Sequence, residues 1–262
     1  MNGLRGRIQP TVRRLLDAAG LEVHRTQAGV RRTLPAVLAQ YRSLGLSPAT
    51  VIDVGVGPGT PELYAAFPGV RLLLVEPLEE WRGHLEELQR TRRADVVIAA
   101  AGSAAGAIEI AVHRVPACSS TFGGRQGDGS QAPRRSVPVI TLDELVAERG
   151  AAGPYVVKVD VEGAELEVLG GAGGVLREAE LVLLEVSLFQ LVPDAPLLHD
   201  VVAWMHDHGF VVAALYNGHN RPLDGQLAQI DIAFVPEDGR FRREHAYATP
   251  AQADALYAQW GF

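Results

Sequence analysis

The chain has 262 residues, enough to bury the core of one α/β domain with an additional segment. Its formal net charge is −7 and its isoelectric point is about 5.6. This charge argues against a protein that binds nucleic-acid phosphates, because such proteins need a basic face. Cys118 is the only cysteine, which excludes an internal disulfide and is typical of a cytoplasmic protein. No apolar run reaches the roughly 18 residues that span a bilayer, so we expect no membrane partner.

The chain is predicted to divide near residue 45 into an N-terminal helical extension, residues 1–45, and a main domain, residues 46–262. The extension has the apolar spacing of two helices. Its apolar positions are Ile8, Val12, Leu15 and Leu16 in the first helix and Leu34, Val37, Leu38 and Tyr41 in the second. Packing of this extension on the domain is favoured over a helix on a membrane surface.

From residue 50 onward, short runs of β-branched residues alternate with segments of helical period, which predicts an α/β fold with a mostly parallel sheet. The predicted strands are Thr50–Val54, Arg71–Val75, Asp95–Ala99, Tyr155–Val159, Leu181–Val186, Phe210–Leu215 and Gln229–Val235. The last two are joined by YNGHNRPLDGQL, which is too short for a helical crossover. We therefore expect an antiparallel pair at one edge of the sheet.

Helical segments are predicted between these strands. They are Pro61–Phe67, Leu78–Thr91, Thr141–Arg149, Ala164–Leu176 and Ala195–His208. Thr141 and Glu144 form a capping box, which fixes the start of the third. Residues 113–138 interrupt the alternation, because they are rich in Gly, Ser and Pro and too numerous for an ordinary connection. Both a loop close to the substrate and plain disorder stay open for this segment.

The segment VIDVGVGPGTPELYAAFPGVRLLLVEP, residues 51–77, combines a buried strand, a glycine-rich turn, a helix and a strand that ends in an acid. Gly55, Gly57 and Gly59 let the backbone turn tightly and let a ligand approach without meeting a Cβ atom. Glu76 follows about 20 residues later, where a carboxylate can accept both hydroxyl hydrogens of a ribose. These features fit NAD and S-adenosylmethionine equally well.

Local chemistry in this segment favours S-adenosylmethionine over a dinucleotide. Pro58 and Pro61 each remove an N–H from the helix N-terminus that would bind a pyrophosphate. Glu62 adds a carboxylate in the first turn of that helix, which repels an anion. S-adenosylmethionine carries a sulfonium, an ammonium and one carboxylate, so its net charge is positive. Carboxylates at Asp53, Glu62 and Glu76 around one pocket suit such a cation.

The same segment, taken with PVITLDELV and YVVKVDVEGAELEVLGGAGGVLREAELVLLEVS, resembles the FkbM family of methyltransferases over residues 48–190. KVDVEGAELEVL is the most specific block, whereas DVGVGPG replaces the DVGAxxG that family members often have. The resemblance implies a Rossmann-like class I methyltransferase fold, with a seven-stranded, mostly parallel sheet and an antiparallel edge strand. It also implies S-adenosylmethionine as the methyl donor and a small-molecule hydroxyl as the acceptor, often on a sugar or a polyketide-type secondary metabolite.

The resemblance further implies roles for residues near the carboxyl ends of the strands. The implied donor-binding residues are Asp53, Gly55 and Gly57 beside the methionine part, Glu76 on the ribose, and Ala100, Ala101 and Gly102 near the adenine. Asp160 would lie beside the donor and face the reaction centre.

Methyl transfer is an in-line displacement, so holding the acceptor oxygen in line with the methyl group is the larger contribution, about 7–11 kcal/mol. A general base adds about 10²–10⁴-fold. We consider Asp160, Glu185 and His199 as catalytic residues, because ligands of open α/β sheets bind beyond the carboxyl ends of the strands. Asp160 is the first choice, and capping of the next helix is its structural alternative. His199 suits a base near neutral pH, although such a histidine is also typical of a surface position.

Glu185 lies in the apolar run LVLLEVS, where a carboxylate is costly to bury without a partner. Lys158 is a candidate partner, in which case the pair is structural. Asp160 and Glu185 would also suit a divalent metal such as Mg²⁺, which the spacing alone does not establish. Two other function classes stay open, a dinucleotide-dependent oxidoreductase and a non-catalytic binding module with a methyltransferase fold. The acceptor's identity and a homo-oligomeric state are likewise open.

Overall fold

The structure is a computed structural model that describes residues 33–112 and 133–260, with side chains described as far as residue 258. The first predicted helix of the N-terminal extension lies outside the described residues, and so do residues 113–132 of the predicted loop. Within the described ranges, every helix is too short or too polar to cross a membrane.

Two sheets form the framework of the described part of the chain. The strands are β1 (Thr50–Val54), β2 (Arg71–Val75), β3 (Ala94–Val97), β4 (Ala100–Ala101), β5 (Gly106–Ala111), β6 (Arg134–Ile140), β7 (Tyr155–Val159), β8 (Ala179–Ser187), β9 (Phe210–Asn220) and β10 (Leu227–Pro236). The larger sheet has seven strands in the order β3-β2-β1-β7-β8-β10-β9. Its pairs are parallel except those of β10, which runs antiparallel to both neighbours. The predicted fold class is confirmed, including the antiparallel pair at one edge.

The strand bounds agree best with the prediction where the strand is buried on both faces. β1, β2 and β7 begin and end at the predicted residues, and all five residues of β1 are buried. β9 and β10 are longer than predicted, because their pairing continues through the polar residues as far as Asn220 and Leu227. β3 ends at Val97 rather than at Ala99.

A small sheet in the order β4-β6-β5 was not predicted. β6 includes residues 134–138, which the sequence analysis assigned to the long loop because of their proline and polar residues. Pro138 fits within β6 because β4 pairs only with Val139 and Ile140. Among the described strands, none is paired beside Pro138 on the β4 side, so the missing N–H of proline leaves no strand carbonyl there without a donor.

Helices cover the faces of the larger sheet. They are α1 (Leu34–Ser43), α2 (Pro61–Ala66), a 3₁₀ turn (Glu79–Trp81), α3 (Arg82–Thr91), α4 (Leu142–Arg149), α5 (Glu165–Gly170), α6 (Gly173–Glu178), α7 (Leu198–Asp207) and α8 (Pro250–Trp260). The predicted N-cap of α4 is present, since the Thr141 hydroxyl accepts from the backbone N–H of Glu144 at 3.1 Å. The Glu144 carboxylate accepts from the Thr141 hydroxyl at 2.9 Å rather than from its backbone N–H. α8 was not predicted.

The helix predicted over Ala164–Leu176 is divided into α5 and α6 at a run of glycines. A Cβ atom on Gly171 would lie 2.0 Å from the carbonyl oxygen of Gly102, so the chain passes too close for any side chain. The Asp143 carboxylate then accepts the N–H groups of Gly174 and Val175 at 2.8 and 2.9 Å. These bonds start α6 as a separate helix.

Apolar side chains pack against both faces of the larger sheet. On one face, Leu34, Val37, Leu38 and Tyr41 of α1 are buried in the same cluster as residues of β1 and β2. These are the apolar positions that the sequence predicted for the second helix of the extension. The division of the chain near residue 45 stays a prediction.

Gly55 connects the glycine turn to the end of β7. Its φ is +74°, its N–H donates to the carbonyl of Val75 at 2.9 Å, and the N–H of Asp160 donates to the carbonyl of Val54 at 3.0 Å. A Cβ atom on Gly55 would lie 1.8 Å from the backbone oxygen of Asp160. The turn and the residue after β7 can approach this closely only because residue 55 has no side chain.

We expect Gly55→Ala to destabilise the protein more than Gly69→Ala does. Gly69 has a similar φ of +77° but open space where its Cβ would lie, so this control isolates the cost of the left-handed backbone, about 1–2 kcal/mol. Gly55→Ala adds a backbone clash to that cost. Thermal unfolding measures both changes, and equal losses of Tm would contradict the proposed close approach.

Candidate active site

A cavity of about 590 Å³ lies at the carboxyl edge of the larger sheet. This is the edge at which open α/β sheets bind ligands. We call its two parts the glycine-turn end and the acidic end. The glycine-turn end is lined by Gly55, Gly57, Glu62, Glu76, Trp81, Ala100 and Ala101. The acidic end is lined by Lys158, Asp160, Glu162, Glu185, Asn217, His219 and Asp231.

Glu76 is fixed at the end of β2 by backbone amides. Its Oε2 accepts from the N–H of Gly57 and its Oε1 accepts from the N–H of Leu78, each at 2.9 Å. The side chain is buried, and burial raises the pKa of Glu76, although these two hydrogen bonds lower it in part. Because a carboxylate oxygen can accept more than one hydrogen bond, both oxygens retain capacity for a ligand hydroxyl.

Asp53 lies behind the cavity wall and does not line the cavity. The side chain is fully buried, and its Oδ2 accepts from the hydroxyl of Tyr64 at 2.5 Å. The other oxygen, Oδ1, accepts no hydrogen bond among the described residues and faces Nζ of Lys158 at 3.7 Å. Burial raises the pKa of Asp53, and Lys158 and Tyr64 lower it. Val54 and Gly55 provide the cavity surface in front of Asp53, and the place of Asp53 beside the donor stays a prediction.

Lys158 is paired with aspartates rather than with Glu185. Its Nζ lies 3.0 Å from Oδ2 of Asp160 and 3.7 Å from Oδ1 of Asp53. Burial alone would lower the pKa of Lys158, but the charges of Asp160 and Asp53 raise it above its ordinary value. The structure therefore corrects the hypothesis of a structural Lys158–Glu185 pair. Asp160 lines the cavity, as predicted for the residue after the fourth predicted strand.

Glu185 reaches the acidic end of the cavity, and its partner is Gln229. Its Oε2 accepts from Nε2 of Gln229 at 2.8 Å. Burial, followed by the charges of Asp160, Glu162 and Asp231, raises the pKa of Glu185 to about 9. Glu185 is held towards its protonated form by burial and by these neighbouring charges. It is therefore unsuited to act as a base in the free protein.

Asp231 lies directly opposite Glu185 in the pairing of β10 with β8. Burial raises the pKa of Asp231 to about 6, although a hydrogen bond from Asn217 lowers it in part. Nδ2 of Asn217 donates to Oδ2 of Asp231 at 2.9 Å. Nδ1 of His219 lies 3.9 Å from Oε1 of Glu185, at the rim of the cavity.

Two predicted site residues lie elsewhere. His199 is 75% exposed and lies 3.3 Å from Oδ1 of Asp200, because α7 turns Val201 and Met205 to the core. Residues two positions apart lie on different helix faces, so His199 points to solvent. Gly102 is absent from the cavity wall, and its N–H donates to the carbonyl of Ile140 at 3.0 Å.

Four residues at or behind the cavity were not predicted from the sequence, namely Tyr64, Asn217, His219 and Asp231. Asn217 and His219 lie in the part of β9 that was assigned to a connecting loop, and Asp231 lies within a predicted strand without having been singled out. A carboxylate inside the apolar run IDIAFV was the available signal for Asp231. Among residues 33–112 and 133–260, no group of three or more His, Cys, Asp or Glu side chains is arranged to hold a metal ion.

The family comparison decides the class of protein. The family model described as Methyltransferase FkbM domain matches residues 53–212, which is more than half of the chain. The chain belongs to the FkbM family of methyltransferases. Membership supports an S-adenosylmethionine-dependent methyltransferase and agrees with the resemblance seen in the sequence.

Other relatives of this FkbM methyltransferase match more weakly. The hexuronic acid methyltransferase AglP of Haloferax volcanii is 34% identical over 89 residues, which span 31% of this chain and 37% of AglP. The precorrin-6y C5,15-methyltransferase of Geobacter metallireducens has a TM-score of 0.41 at 14% identity, over 82% of this chain and 92% of that one. The 1,6-didemethyltoxoflavin-N1-methyltransferase of Burkholderia thailandensis has a TM-score of 0.42 at 16% identity, over 77% and 76%.

We expect Glu185→Gln to flatten the dependence of stability on pH in this FkbM methyltransferase. The folded-state pKa of Glu185, about 9, lies above the ordinary 4.5. Between these pH values the folded protein therefore holds a proton on Glu185 that the unfolded chain has released. Stability is therefore lost as the pH rises through this window. Glutamine keeps an acceptor for Gln229 and cannot ionise.

Thermal unfolding at pH 5 and pH 9 measures this effect. The Tm of Glu185→Gln should exceed that of the unaltered protein at pH 9 by at least about 2–4 °C, the shift that 1 kcal/mol produces in a domain of this size. The matched control is Glu109→Gln, at an exposed carboxylate on β5. Parallel pH curves for Glu185→Gln and the unaltered protein would contradict the raised pKa.

Proposed function

We propose that this FkbM methyltransferase transfers the methyl group of S-adenosylmethionine to a hydroxyl of a small molecule, a sugar or a polyketide-type secondary metabolite. The observation that carries the proposal is the Glu76 carboxylate, which two backbone amides aim at the glycine-turn end of the cavity. This group suits a ribose, and the acidic end beside it suits a cationic donor and a hydroxyl acceptor.

The glycine-turn end is the proposed donor site. Glu76 would accept the two ribose hydroxyls, because each of its oxygens retains a lone pair. Ala100 and Ala101 give an apolar wall for the adenine. The lack of side chains at Gly55 and Gly57 lets the methionine part approach the backbone. Bound S-adenosylmethionine would supply an electrophilic methyl group on its sulfonium.

The charge of the cavity supports S-adenosylmethionine over a dinucleotide. Its described lining has one lysine, Lys158, and six carboxylic side chains. Glu185 is held towards its neutral form, and the other five are Glu62, Glu76, Asp160, Glu162 and Asp231. A pyrophosphate needs donors and positive charge, whereas a sulfonium and an ammonium are attracted to carboxylates. An oxidoreductase is therefore the weaker alternative.

Asp160 is the proposed general base. It follows β7 at the carboxyl edge, and its Oδ2 is held by Nζ of Lys158 at 3.0 Å. Oδ1 accepts no hydrogen bond from the described residues and is the oxygen that we assign to the acceptor hydroxyl. As the oxygen–methyl bond forms and the sulfur–methyl bond breaks, the sulfur keeps the electron pair and Asp160 takes the hydroxyl proton.

The acidic end also bears on the acceptor. Asp160, Glu162 and Asp231 would repel an acceptor with a free carboxylate, because like charges in a poorly hydrated cavity interact strongly. We therefore propose a neutral or amine-bearing acceptor. The similarity of one segment to the hexuronic acid methyltransferase AglP supports a sugar, and the charge of the cavity favours a sugar without an ionised carboxyl group.

We further propose a cytoplasmic location, a small-molecule partner without nucleic acid or membrane, and an N-terminal helical extension. The single cysteine and the net charge of −7 support the first two. A non-catalytic binding module is the second candidate function, and the presence of Glu76 and Asp160 in one cavity favours catalysis over it.

We expect Glu76→Ala to weaken binding of S-adenosylhomocysteine by at least about tenfold, because two charge-assisted hydrogen bonds to the ribose are lost. Isothermal titration calorimetry measures the dissociation constant. Glu79→Ala is the matched control, since Glu79 is exposed, pairs with Arg82 and lies just beyond the same strand.

Two outcomes would contradict the donor assignment. An unchanged dissociation constant for Glu76→Ala would remove Glu76 from the site. Stabilisation of the unaltered protein by NAD(H) and none by S-adenosylhomocysteine would favour the oxidoreductase.

We expect methyl transfer to neutral or amino sugars and none to the corresponding uronic acids. A panel of such sugars and polyketide glycosides, incubated with ¹³C-methyl-labelled S-adenosylmethionine, measures transfer by NMR of the product. Asp160→Asn should lower the rate by about 10²–10⁴-fold and leave the affinity for S-adenosylhomocysteine within a few-fold. Transfer to uronic acids alone would contradict the proposed acceptor class, and binding without transfer to any member would favour the binding module.

A further inference from the structure

A line of buried polar groups runs beneath the cavity from α2 to the end of β7. The hydroxyl of Tyr64 donates to Oδ2 of Asp53. Oδ1 of Asp53 faces Nζ of Lys158, and the same Nζ donates to Oδ2 of Asp160. Only Lys158 and Asp160 line the cavity, so the line connects a fully buried carboxylate to the proposed reaction centre.

The sheet register produces this line. Asp53 and Lys158 are direct neighbours in the parallel pairing of β1 with β7, and neighbours at the same level of a sheet project to the same face. Asp160 follows Lys158 by two residues, so the alternation of side chains directs it to that face as well. The order of charges is negative, positive, negative.

The buried charge of Asp53 has to be compensated by a nearby cation. A carboxylate that is 0% exposed is costly unless it is paired. Tyr64 satisfies one oxygen, but the other has no hydrogen bond among the described residues. Lys158 is the only lysine in the chain, and its ammonium lies 3.7 Å from that oxygen.

We propose that Asp53 and Lys158 are positioning residues for the transfer step. Asp53 is the counter-ion that holds the Lys158 ammonium beneath the cavity, and Lys158 fixes Oδ2 of Asp160 so that Oδ1 faces the acceptor hydroxyl. The role in transfer rests on the proposed function of Asp160, whereas the pairing of Asp53 with Lys158 can be tested without any acceptor.

The three N–H donors of Lys158 have different directions in this arrangement. An ammonium has three N–H donors and no acceptor. One is used on Asp160 at 3.0 Å and a second is directed towards Asp53. The third is available on the cavity side, where a positive charge also favours loss of the proton from a hydroxyl. Two aspartates keep this lysine charged, so it acts as a fixed cation and not as a base.

Because Lys158 is the only lysine, selective ¹⁵N-lysine labelling gives a single side-chain signal for NMR. In the unaltered protein we expect the pKa of this ammonium to lie above its ordinary value, because Asp160 and Asp53 stabilise the charged form. Asp53→Asn should lower the pKa of Lys158 by about 1–3 pH units, the range that an opposite charge at this distance produces. The matched control is Asp95→Asn, which removes the carboxylate of the Arg71–Asp95 pair on β2 and β3, away from the cavity.

Calorimetry with S-adenosylhomocysteine on the same samples separates positioning from donor binding. We expect Asp53→Asn to bind within about threefold of the unaltered protein and Asp95→Asn to leave both readouts unchanged. A folded Asp53→Asn whose Lys158 signal does not change would overturn the inference. So would a loss of S-adenosylhomocysteine binding with an unchanged Lys158 signal, because Asp53 would then belong to the donor site.

The outcome is distinguishable from failure of the proposed function. If the unaltered protein binds no S-adenosylhomocysteine, the proposed function fails whatever Lys158 does. If Asp53→Asn does not fold, Tyr64→Phe gives a second test. Tyr64→Phe removes the hydrogen bond to the other oxygen of Asp53, and it should leave the pKa of Lys158 above its ordinary value. Titration of Lys158 below its ordinary value in the unaltered protein would overturn the inference directly.

Discussion

The pairing of β1 with β7 is the constraint on which the site depends. It sets Asp53 beside Lys158, and it brings the backbone of Asp160 against Gly55 so closely that residue 55 can carry no side chain. The glycine turn and the proposed base are thereby held by one hydrogen-bonded ladder. A shift of one residue in this register would turn Asp53 and Lys158 to opposite faces of the sheet.

The surroundings of the carboxylic groups differ between the two ends of the cavity. Glu76 receives two backbone N–H bonds, which offset part of the cost of burial. Glu185 is buried beside further carboxylates, and both burial and their charges raise its pKa. The same side chain is therefore an anchored acceptor at one end and a proton-carrying group at the other. A cation in the cavity would be attracted to Glu76 at one end and to Asp160 and Glu162 at the other, which agrees with a sulfonium donor more than with a pyrophosphate.

Local patterns were sufficient where one strand and its turn carry the information. The bounds of β1, β2 and β7, the N-cap at Thr141 and the place of Glu76 all follow from neighbours in sequence. They failed for β6, where proline and polar residues indicated a loop. A strand can form there because only two residues of β4 pair with β6, so Pro138 interrupts no pairing with β4. They also failed for the histidines, since His219 reaches the rim through a strand that extends past its apolar part, and His199 faces solvent.

The sequence by itself determined the α/β class and the family and predicted a cationic ligand, because β-branched runs, glycines and the positions of prolines and acids are local properties. Only the tertiary structure decided that Asp53 lies behind the cavity wall, that Lys158 pairs with two aspartates instead of Glu185, and that Asp231 faces the site. Those relations join residues that are far apart in the chain, and their distances depend on strand order and register, which a single sequence does not specify.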